Sequence, residues 1–547
     1  MARTPRTPAT MNLLDQAINY FAPRVAQRRL IARVGSERIA ALAGGGGYLG
    51  ARRDRASTAS WAPGAGSPDS DVIADLPVLR ERARDAERNQ AVAAGVVNTT
   101  TTHAVGTGLS LNPRINAAFL KLTPDQAEAW QADTLHRFNA YAASKDCSLE
   151  RNQNFYEQQD LALRTTLSSG DAFVVTPIVE RSGYSRVALQ ILEADRCCNP
   201  NRQANTDTLT DGVECDAATG EALGYHFTNR HPGDLRSGSL TWQRIDARGA
   251  KTGRRNVLHL YKVIRPGLRR GVPILAPVLE PLRQLANFTK AELDAAVNSA
   301  LFPLFATMDP KAFDETFSEQ DISDIVSRSS KWSGQIESGQ VMNLLPGETV
   351  ASPTPGRPNP EFDPFFTACV RQIGMAIGIP FEVLVMHYQS SYSAARGALL
   401  MAWKFFTGWR DWLATNLCQP VYELWLADEV AAGRIACAGF FASPEARAAW
   451  CGAQWVGDGP GSIDPQKEVG AAKERVDMGI STLQAESQAF DGVAWEVKHA
   501  QQVREKAARD QAGLAPAPKP QTPAMPAEPP ADEPQAPPVP ARRQRGQ

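Results

Sequence analysis

Apolar residues recur at three- and four-residue steps in two long stretches of the chain, and a short polar segment separates them. This spacing places apolar side chains on one helix face, so it predicts a helix ending near Gly378 and another following Ser393. Gly378 suits a left-handed cap, Pro380 blocks continuation, and Pro420 is expected to kink the second helix. The segment from His387 to Ser393 is predicted to be a loop held at both ends. The patterned residues are Phe362, Phe366, Val370, Ile373 and Ile377, then Leu399, Trp403, Phe406, Leu413, Leu417, Val421 and Leu424.

The pattern changes to short strand-like runs between residues 170 and 262. A hairpin is expected around Thr219-Gly220, with strands at Gly212–Asp216 and Leu223–Phe227. Helical patterns flank this region at residues 75–145, where Thr123 begins a capping box, and at residues 273–302. The chain is therefore predicted to have an α+β fold that is mostly helical. The other predicted strands are Ala172–Val179, Val187–Leu192 and Asn256–Tyr261.

The remaining stretches differ in composition. Residues 303–361 are short, turn-rich pieces, which indicate either a compact β-containing insertion between two helices or an ordinary loop excursion. Residues 431–512 are predicted to be helical, with starts at Ser443, Asp464 and Ser481, the last as a capping box with Gln484. Residues 1–70 are rich in arginine and glycine and indicate a basic, flexible arm or a simple solvated terminus. Residues 513–547 are proline-rich and are predicted to be a disordered tail.

Length and charge narrow the class of protein. A chain of 547 residues is too long for one hydrophobic core and predicts several domains. We find no run of about 18 apolar residues, so no membrane span is expected, and the start lacks the apolar core of a signal peptide. The formal net charge of −1 argues against a protein that coats nucleic acid by bulk charge.

An enzyme would need recognisable catalytic or phosphate-binding parts in its sequence. It contains no phosphate-binding G-x-x-x-x-G-K-(S/T) loop and no G-x-S-x-G elbow. His226 and His231 lie in a stretch predicted to be a polar turn, without a third metal ligand nearby. His259 is expected to be a satisfied core residue of an apolar strand. We therefore predict no catalytic residue, no metal site and no cofactor.

Several short motifs occur in a fixed order along roughly residues 75–512, and this order resembles the lambda-type family of phage portal proteins. A glycine-isoleucine-proline-phenylalanine-glutamate segment precedes a tyrosine-serine-alanine-alanine-arginine segment and a tryptophan-rich helix, as in the tunnel loop of that family. Each motif alone is a weak signal, whereas the shared order is a strong one. The motifs lie at Leu79–Asp85, Arg88-Asn89, Val105–Gly108, Leu258–Tyr261, Arg265–Gly267, Arg270–Pro273, Leu345–Glu348, Gly378–Leu384, Tyr392–Arg396 and Asp464–Glu468.

The resemblance implies a portal fold with named parts. A mixed α+β wing is expected at residues 71–272, and long stem helices at 273–378 flank a small β-containing clip at about 303–361. The tunnel loop and a long kinked helix are expected at 379–430. A helical crown at 431–512 completes the fold, between the N-terminal arm and the C-terminal tail.

The resemblance also implies a function that is mechanical rather than catalytic. The chain is expected to form a ring of about twelve identical subunits at one capsid vertex, through which double-stranded DNA is packaged and ejected. The implied partners are the large terminase subunit, the major capsid and scaffold proteins, and the head–tail connector proteins. The implied location is the portal vertex of the virion, and the host cytoplasm during assembly; the chain could also be encoded by a prophage. A soluble hydrolase or nuclease with an unfamiliar site, or a scaffold protein without a channel, remains the alternative.

The channel and the subunit contacts are predicted to use different residues. The tunnel loop comprises His387, Tyr388, Gln389, Ser390, Ser391 and Tyr392. Its uncharged stretch from Tyr388 to Tyr392 can touch DNA without binding the phosphates tightly. Arg396 is expected to anchor its C-terminal side. The alternative is an ordinary surface turn.

The assembly residues are predicted from a charge pattern near the start of the wing. Arg82, Arg84 and Arg88 alternate with acidic residues, which favours ion pairs between subunits or domains over a DNA-binding patch. The alternative is a solvated helix face.

Overall fold

The computed structural model describes residues 57, 60–61, 63–181, 185–235, 238–300, 305–308, 318, 323, 348–351, 359–388, 391–461, 465–493 and 495–514. The chain divides into two compact units, Met1–Ser67 and Pro68–Gln547, and the helices and strands of the described residues lie in the second. The predicted arm lies mostly outside the described residues, as do most of the predicted clip and residues 515–547 of the predicted tail.

Helices make up most of the described chain. Local signals explain where several of them begin: Thr123 and Gln126 form the predicted capping box, and the Ser443 hydroxyl accepts a hydrogen bond from the Ala446 amide. The helices are α1 Pro68–Val72, α2 Leu76–Asn89, α3 Ala91–Ala104, α4 Ala117–Leu120, α5 Pro124–Ala143, α6 Phe155–Ser169, α7 Leu279–Ala300, α8 Phe362–Ile377, α9 Phe381–Leu384, α10 Tyr392–Leu413, α11 Gln419–Ala431, α12 Pro444–Trp450, α13 Pro465–Asp477, α14 Leu483–Asp491 and α15 Trp495–Gln511.

The strands form small antiparallel sheets. The strands are β1 Ser110–Pro113, β2 Asp171–Val175, β3 Gln190–Glu193, β4 Leu209–Thr210, β5 Val213–Cys215, β6 Ala222–Thr228, β7 Trp242–Asp246, β8 Val257–Tyr261, β9 Phe305–Met308, β10 Glu348–Ala351 and β11 Ala453–Val456. The described sheets have the strand orders β3-β2-β8, β4-β5-β6-β7, β1-β11 and β9-β10. The predicted hairpin is confirmed, because Val213 pairs with Tyr225 and a bulge follows Glu214. The predicted α+β fold class is confirmed.

Buried apolar residues form three clusters. The largest joins α3, α5, α6, β2 and β8 to α10, α11 and α12, and it surrounds Phe138, Tyr422 and Trp425. A second cluster joins α2, α3, α7, α8, α9 and α10, and a third lies between the two larger sheets. The first cluster therefore draws residues from three of the predicted domain ranges, and the division into wing, stem, clip and crown stays a prediction.

Several predicted boundaries of helices and strands are wrong. The first predicted strand ends at Val175 rather than Val179, because Pro177 lacks the amide that a ladder needs. The helical stretch 75–145 is interrupted by β1, which pairs with the distant strand β11. The cap near residue 481 is Thr482, whose hydroxyl accepts a hydrogen bond from the Ala485 amide.

The position of His226 and the course of the long helix at Pro420 also differ from the predictions. His226 lies within β6, with its Nε2 3.4 Å from a carboxylate oxygen of Glu214, so its predicted position in a turn is wrong. The long helix is not broken sharply at Pro420; instead a π-helical turn, Ala414–Cys418, joins α10 to α11 just before the proline. Such turns absorb a local disruption of the helical hydrogen bonds.

Candidate functional site

The candidate tunnel segment begins where α8 ends. Gly378 adopts the left-handed conformation with φ of 99°, and its amide donates to the Gly374 carbonyl at 2.8 Å. A side chain at Gly374 would collide with the Ile379 carbonyl oxygen, which lies 2.5 Å from the position of its Cβ. The close approach of the backbone at Ile379 to the end of α8 therefore depends on both glycines. The resulting turn leaves Ile379 buried.

A short helix then fixes the N-terminal side of the segment. Pro380 precedes α9, and Val383 and Leu384 are buried in the second apolar cluster. Beyond α9, Met386 has φ of 54°, and the His387 amide donates to the Glu382 carbonyl at 3.0 Å. The chain therefore leaves the core through a tightly specified turn.

The predicted loop residues occupy three kinds of position. His387, Tyr388 and Ser391 are exposed, with 47% of Tyr388 accessible to solvent. Gln389 and Ser390 lie outside the described residues. Tyr392 is the first residue of α10, so the prediction that the loop reaches Ser393 is wrong by two residues. Ser391 supplies the extended backbone that precedes a helix, which sets the earlier start.

The segment from Val385 to Ser391 contains no Asp, Glu, Lys or Arg. Partial burial, together with the nearby Glu382 carboxylate, raises the pKa of the Tyr388 hydroxyl, so Tyr388 stays neutral. Among the described residues of the segment, Tyr388 therefore offers a neutral hydroxyl beside an exposed ring.

Arg396 lies one turn into α10, and its Nη2 is 4.0 Å from a carboxylate oxygen of Glu468 in α13. The contact is long and its partners are partly exposed, so its energy is small. It links residues of two sequence motifs. The predicted anchoring role of Arg396 stays a prediction.

The predicted assembly arginines differ in their surroundings. Arg84 is mostly buried and its Nη1 lies 2.8 Å from a carboxylate oxygen of Asp195 in the same chain. Burial would raise the pKa of Asp195, but its hydrogen bond to Arg84 reverses this and lowers it. Arg82 and Arg88 are exposed. Arg84 thus holds parts of one subunit together, and the contact that joins subunits remains a prediction for Arg82 and Arg88.

Sequence reasoning missed a buried ionic network next to these arginines. Asp171, at the start of β2, accepts hydrogen bonds from Arg270 Nε at 2.6 Å and from Arg270 Nη2 at 3.2 Å. Arg80 of α2 approaches the same carboxylate at 3.4 Å, and His259 of β8 at 3.3 Å. Arg270 also bonds Asp211 at 2.6 Å. The network ties a helix, two strands and two loops together.

The charges of this network depend on one another. Burial alone would raise the pKa of Asp171, but Arg270 and Arg80 outweigh it and hold the pKa well below its usual range. Burial lowers the pKa of His259, although its hydrogen bond to Asp171 opposes the change. His259 is therefore a neutral, hydrogen-bonded core residue, as predicted.

The sequence held a partial signal for this network. Arg80, His259 and Arg270 each lie in one of the short motifs, and Asp171 is the acidic residue that opens an apolar run. Gly271 also requires a small residue, because a Cβ there would lie 2.0 Å from the Gly170 carbonyl oxygen. The motifs are therefore partly structural: they meet around one buried carboxylate.

Within the part of the chain that the structure describes, no group of three or more His, Cys, Asp or Glu side chains is arranged to hold a metal ion. No helix among the same residues combines the length and the apolar character that a membrane span requires.

Comparison with known proteins supplies the family. The model of the family described as phage portal protein, lambda family, matches residues 54–410. A portal protein of Escherichia phage N15 is 26% identical over 493 residues, which cover 86% of this chain and 91% of that protein. Portal protein B of Escherichia phage lambda is also 26% identical, with coverage of 86% and 90%.

Among solved structures, a chain from the virion of a native gene transfer agent particle is 15% identical with a TM-score of 0.43, covering 81% of this chain and 94% of that one. Because the family model matches well over half of the sequence, this chain belongs to the lambda family of phage portal proteins.

Proposed function

We propose that this chain assembles into a ring of about twelve identical subunits that surrounds a channel for double-stranded DNA at one vertex of a phage capsid. Membership of the portal family supports the ring and its place in the virion. DNA would enter during packaging and leave during ejection. The chain would act by shape and electrostatics rather than by catalysis.

The observation that carries the channel proposal is the segment Val385–Ser391, which contains no Asp, Glu, Lys or Arg. It follows the Gly378 cap and precedes the start of α10, and Tyr388 within it is exposed. In a ring, each side chain is repeated in every subunit. Uncharged polar groups can then contact DNA repeatedly without the phosphate binding that a basic lining would produce.

The domain division is proposed on the same basis, and two contacts support it. Phe288 of α7 stacks on Phe362 of α8 with ring centroids 5.8 Å apart, as expected of paired stem helices. Strands β9 and β10 pair with each other within the proposed clip range. The large terminase subunit, the capsid and scaffold proteins and the head–tail connector are proposed partners.

Negative-stain imaging of the purified full-length chain tests the proposal. We expect end-on views of rings with a central hole, and a mass in solution that is a multiple of the 59.3 kDa chain. Monomers or open filaments alone at every concentration would contradict it. Turnover of a nucleic-acid or ester substrate by the purified chain would favour the hydrolase alternative.

A further inference from the structure

A cavity of about 640 Å³ is lined by residues of both larger sheets and of the π-helical turn Ala414–Cys418. Strand β6 contributes Tyr225, β8 contributes Val257 to Tyr261, and the turn contributes Thr415 and Asn416. The volume lies within the range of pockets that hold whole small ligands. Neither the tunnel segment nor the predicted assembly arginines line this cavity, so the proposed function does not account for it.

The lining of the cavity is basic. Among the described residues, Arg248, Arg255 and Arg269 line it, and no aspartate or glutamate does. Arg269 is already bound, because its guanidinium lies 3.6 Å from the Asp69 carboxylate and donates to the Thr210 hydroxyl at 2.7 Å. The side chains of Arg248 and Arg255 make no ion pair and no hydrogen bond with any described residue. Two positive charges of the lining therefore lack a counter charge.

The backbone holds these two arginines side by side. Arg248 and Arg255 stand directly opposite each other in an antiparallel pair. The Asn256 amide donates to the Ala247 carbonyl at 3.0 Å on one side of the pair, and the Gly249 amide donates across the hairpin at 2.8 Å on the other. The pair between them is thus of the non-hydrogen-bonded kind, in which opposite side chains leave the same face and lie closest. Like charges in such positions repel and destabilise the pair, and a bound anion would remove this repulsion.

A buried hydroxyl adds a neutral donor to the same wall. Only 6% of Tyr225 is exposed, and its hydroxyl hydrogen-bonds no described residue. Burial raises the pKa of Tyr225, so the hydroxyl stays protonated and can donate. A buried polar group normally has a hydrogen-bond partner. A ligand that accepts hydrogen bonds would supply one here.

A second, smaller cavity of about 270 Å³ also touches Arg248 and Arg255. Its lining includes Glu423, which makes no ion pair with either arginine among the described residues. This carboxylate would repel an anion in the smaller cavity. The larger cavity is therefore the better place for a negatively charged ligand.

The donors and the size of the larger cavity indicate the class of ligand. Two guanidinium groups match the charge of a phosphate monoester, whose oxygens accept several charge-assisted hydrogen bonds. A phosphate group alone would leave most of the volume unfilled. The rest of the wall mixes apolar side chains such as Leu258 and Leu268 with the polar residues Thr415 and Asn416, which suits a body that is partly aromatic and partly hydroxylated. Duplex DNA, whose major groove alone is about 12 Å wide, is too large to enter.

We propose that this cavity binds a nucleoside monophosphate or a closely similar phosphate monoester, with the phosphate between Arg248 and Arg255 and the body of the ligand inside the cavity. The site lies within one subunit, so this inference does not depend on the proposed ring or on a channel for DNA.

The test measures binding of adenosine monophosphate to the full-length chain by isothermal titration calorimetry in a buffer without phosphate. We expect saturable binding with a Kd below about 1 mM, tighter than that of inorganic phosphate or of adenosine. Arg248→Gln and Arg255→Gln should each weaken it at least about tenfold, because each removes hydrogen bonds to a charged group. Tyr225→Phe keeps the aromatic ring and should weaken it about two- to tenfold. Arg283→Gln is the matched control, because Arg283 is exposed on α7 and does not line the cavity; it should bind as the wild type does.

Thermal melting gives a second measurement that separates binding from folding. Without ligand, Arg248→Gln should melt at the wild-type temperature or slightly above it, because the substitution removes one of two facing like charges. Adenosine monophosphate should raise the melting temperature of the wild type by mass action and leave that of Arg248→Gln nearly unchanged. A clear drop for ligand-free Arg248→Gln would show that the arginine stabilises its own chain, and the inference would fail.

The other outcomes of the titrations also contradict the inference. Absence of saturable binding would mean that the two arginines are solvated and that the cavity holds only water. Equal affinities for inorganic phosphate and adenosine monophosphate would show that the cavity does not receive the body of the ligand. An equal loss in Arg283→Gln would indicate general charge attraction rather than a site. Binding of a duplex oligonucleotide with the same dependence on both arginines would assign them to DNA instead. None of these results bears on whether the chain forms rings.

Discussion

Arg270 forms a two-bonded ion pair with Asp171, and neither side chain is exposed to solvent. The Asp171 carboxylate also accepts a hydrogen bond from the Gly271 amide at 3.2 Å. Arg80 of α2 and His259 of β8 approach the same carboxylate. Segments of the chain that carry separate sequence motifs therefore meet at a single acidic group. Folding of the subunit is therefore sufficient to explain the charged residues of these motifs.

Asp171→Asn is expected to destabilise the subunit severely. The amide cannot neutralise Arg270, which keeps only Asp211 as a charged partner. Breaking a buried ion pair from one side costs about 3–5 kcal/mol. Urea unfolding followed by circular dichroism should show the loss. Asp160→Asn is the matched control, because Asp160 makes only a half-exposed contact of 4.0 Å with Arg164; we expect a change within about 0.5 kcal/mol. Equal effects of the two substitutions would contradict the role of the network.

The same pair predicts how stability depends on pH. The pKa of Asp171 in the folded chain lies well below its ordinary value of 3.8. The ion pair therefore contributes fully above that value, and the contribution is lost as the pH falls through the folded-state pKa. The difference in unfolding free energy between the wild type and Asp171→Asn should stay constant from pH 7 to about 5 and shrink below about 4. If this difference in unfolding free energy grew as the pH fell, the prediction would be contradicted, because protonation of Asp171 would then stabilise the fold.

Local signals and long-range contacts were not equally predictable from the sequence. The Thr123 capping box and the Gly378 cap depend on residues within a few positions, so the pattern predicted both. The Asp171–Arg270 pair joins residues 99 positions apart, and no local pattern specifies which arginine reaches the carboxylate. The charge alternation around Arg84 indicated ion pairing, but it could not distinguish a partner in the same chain from one in a neighbouring subunit.

Arg84→Glu should reduce the stability of the subunit before it affects assembly. It places a carboxylate beside Asp195, where the 2.8 Å ion pair now lies. The loss of a hydrogen bond between charged groups costs about 2 kcal/mol, and repulsion adds to it. Thermal melting of dilute monomers measures the loss.

Arg82→Glu is the comparison, since Arg82 is exposed on the same helix. If Arg82 contacts a neighbouring subunit as predicted, its reversal should lower the yield of rings without changing the monomer's melting temperature; an unchanged yield would mark a solvated helix face.

Gly378→Ala tests the cap that begins the tunnel segment. An alanine at φ of 99° is strained, and its Cβ would lie 3.2 Å from the Phe405 ring. We expect a loss of about 1–2 kcal/mol. Gly397→Ala is the matched control, because Gly397 is exposed within α10 and a Cβ there meets nothing within 4 Å. That substitution should stabilise the chain by about 0.5–1 kcal/mol. Opposite signs for the two variants in chemical unfolding would support the cap, and a neutral Gly378→Ala would show that the turn is not constrained.

The tunnel segment is expected to act through the bulk of its tip rather than through charge. Replacing Tyr388, Gln389 and Ser390 together by glycine removes the exposed ring of Tyr388, whereas the buried residues Val383 and Leu384 stay unchanged. Rings of subunits should therefore assemble normally, while packaging stalls or packaged DNA leaks from the heads.

Tyr388→Phe is the control, because it keeps the aromatic ring of the side chain and loses only the hydroxyl. It should package DNA as the wild type does. The measurement is the DNA content of heads, by density-gradient sedimentation and nuclease protection. Heads filled normally by the triple variant would show that the segment is an ordinary surface turn, and failure of Tyr388→Phe would point to a hydrogen bond from the hydroxyl instead of the size of the ring.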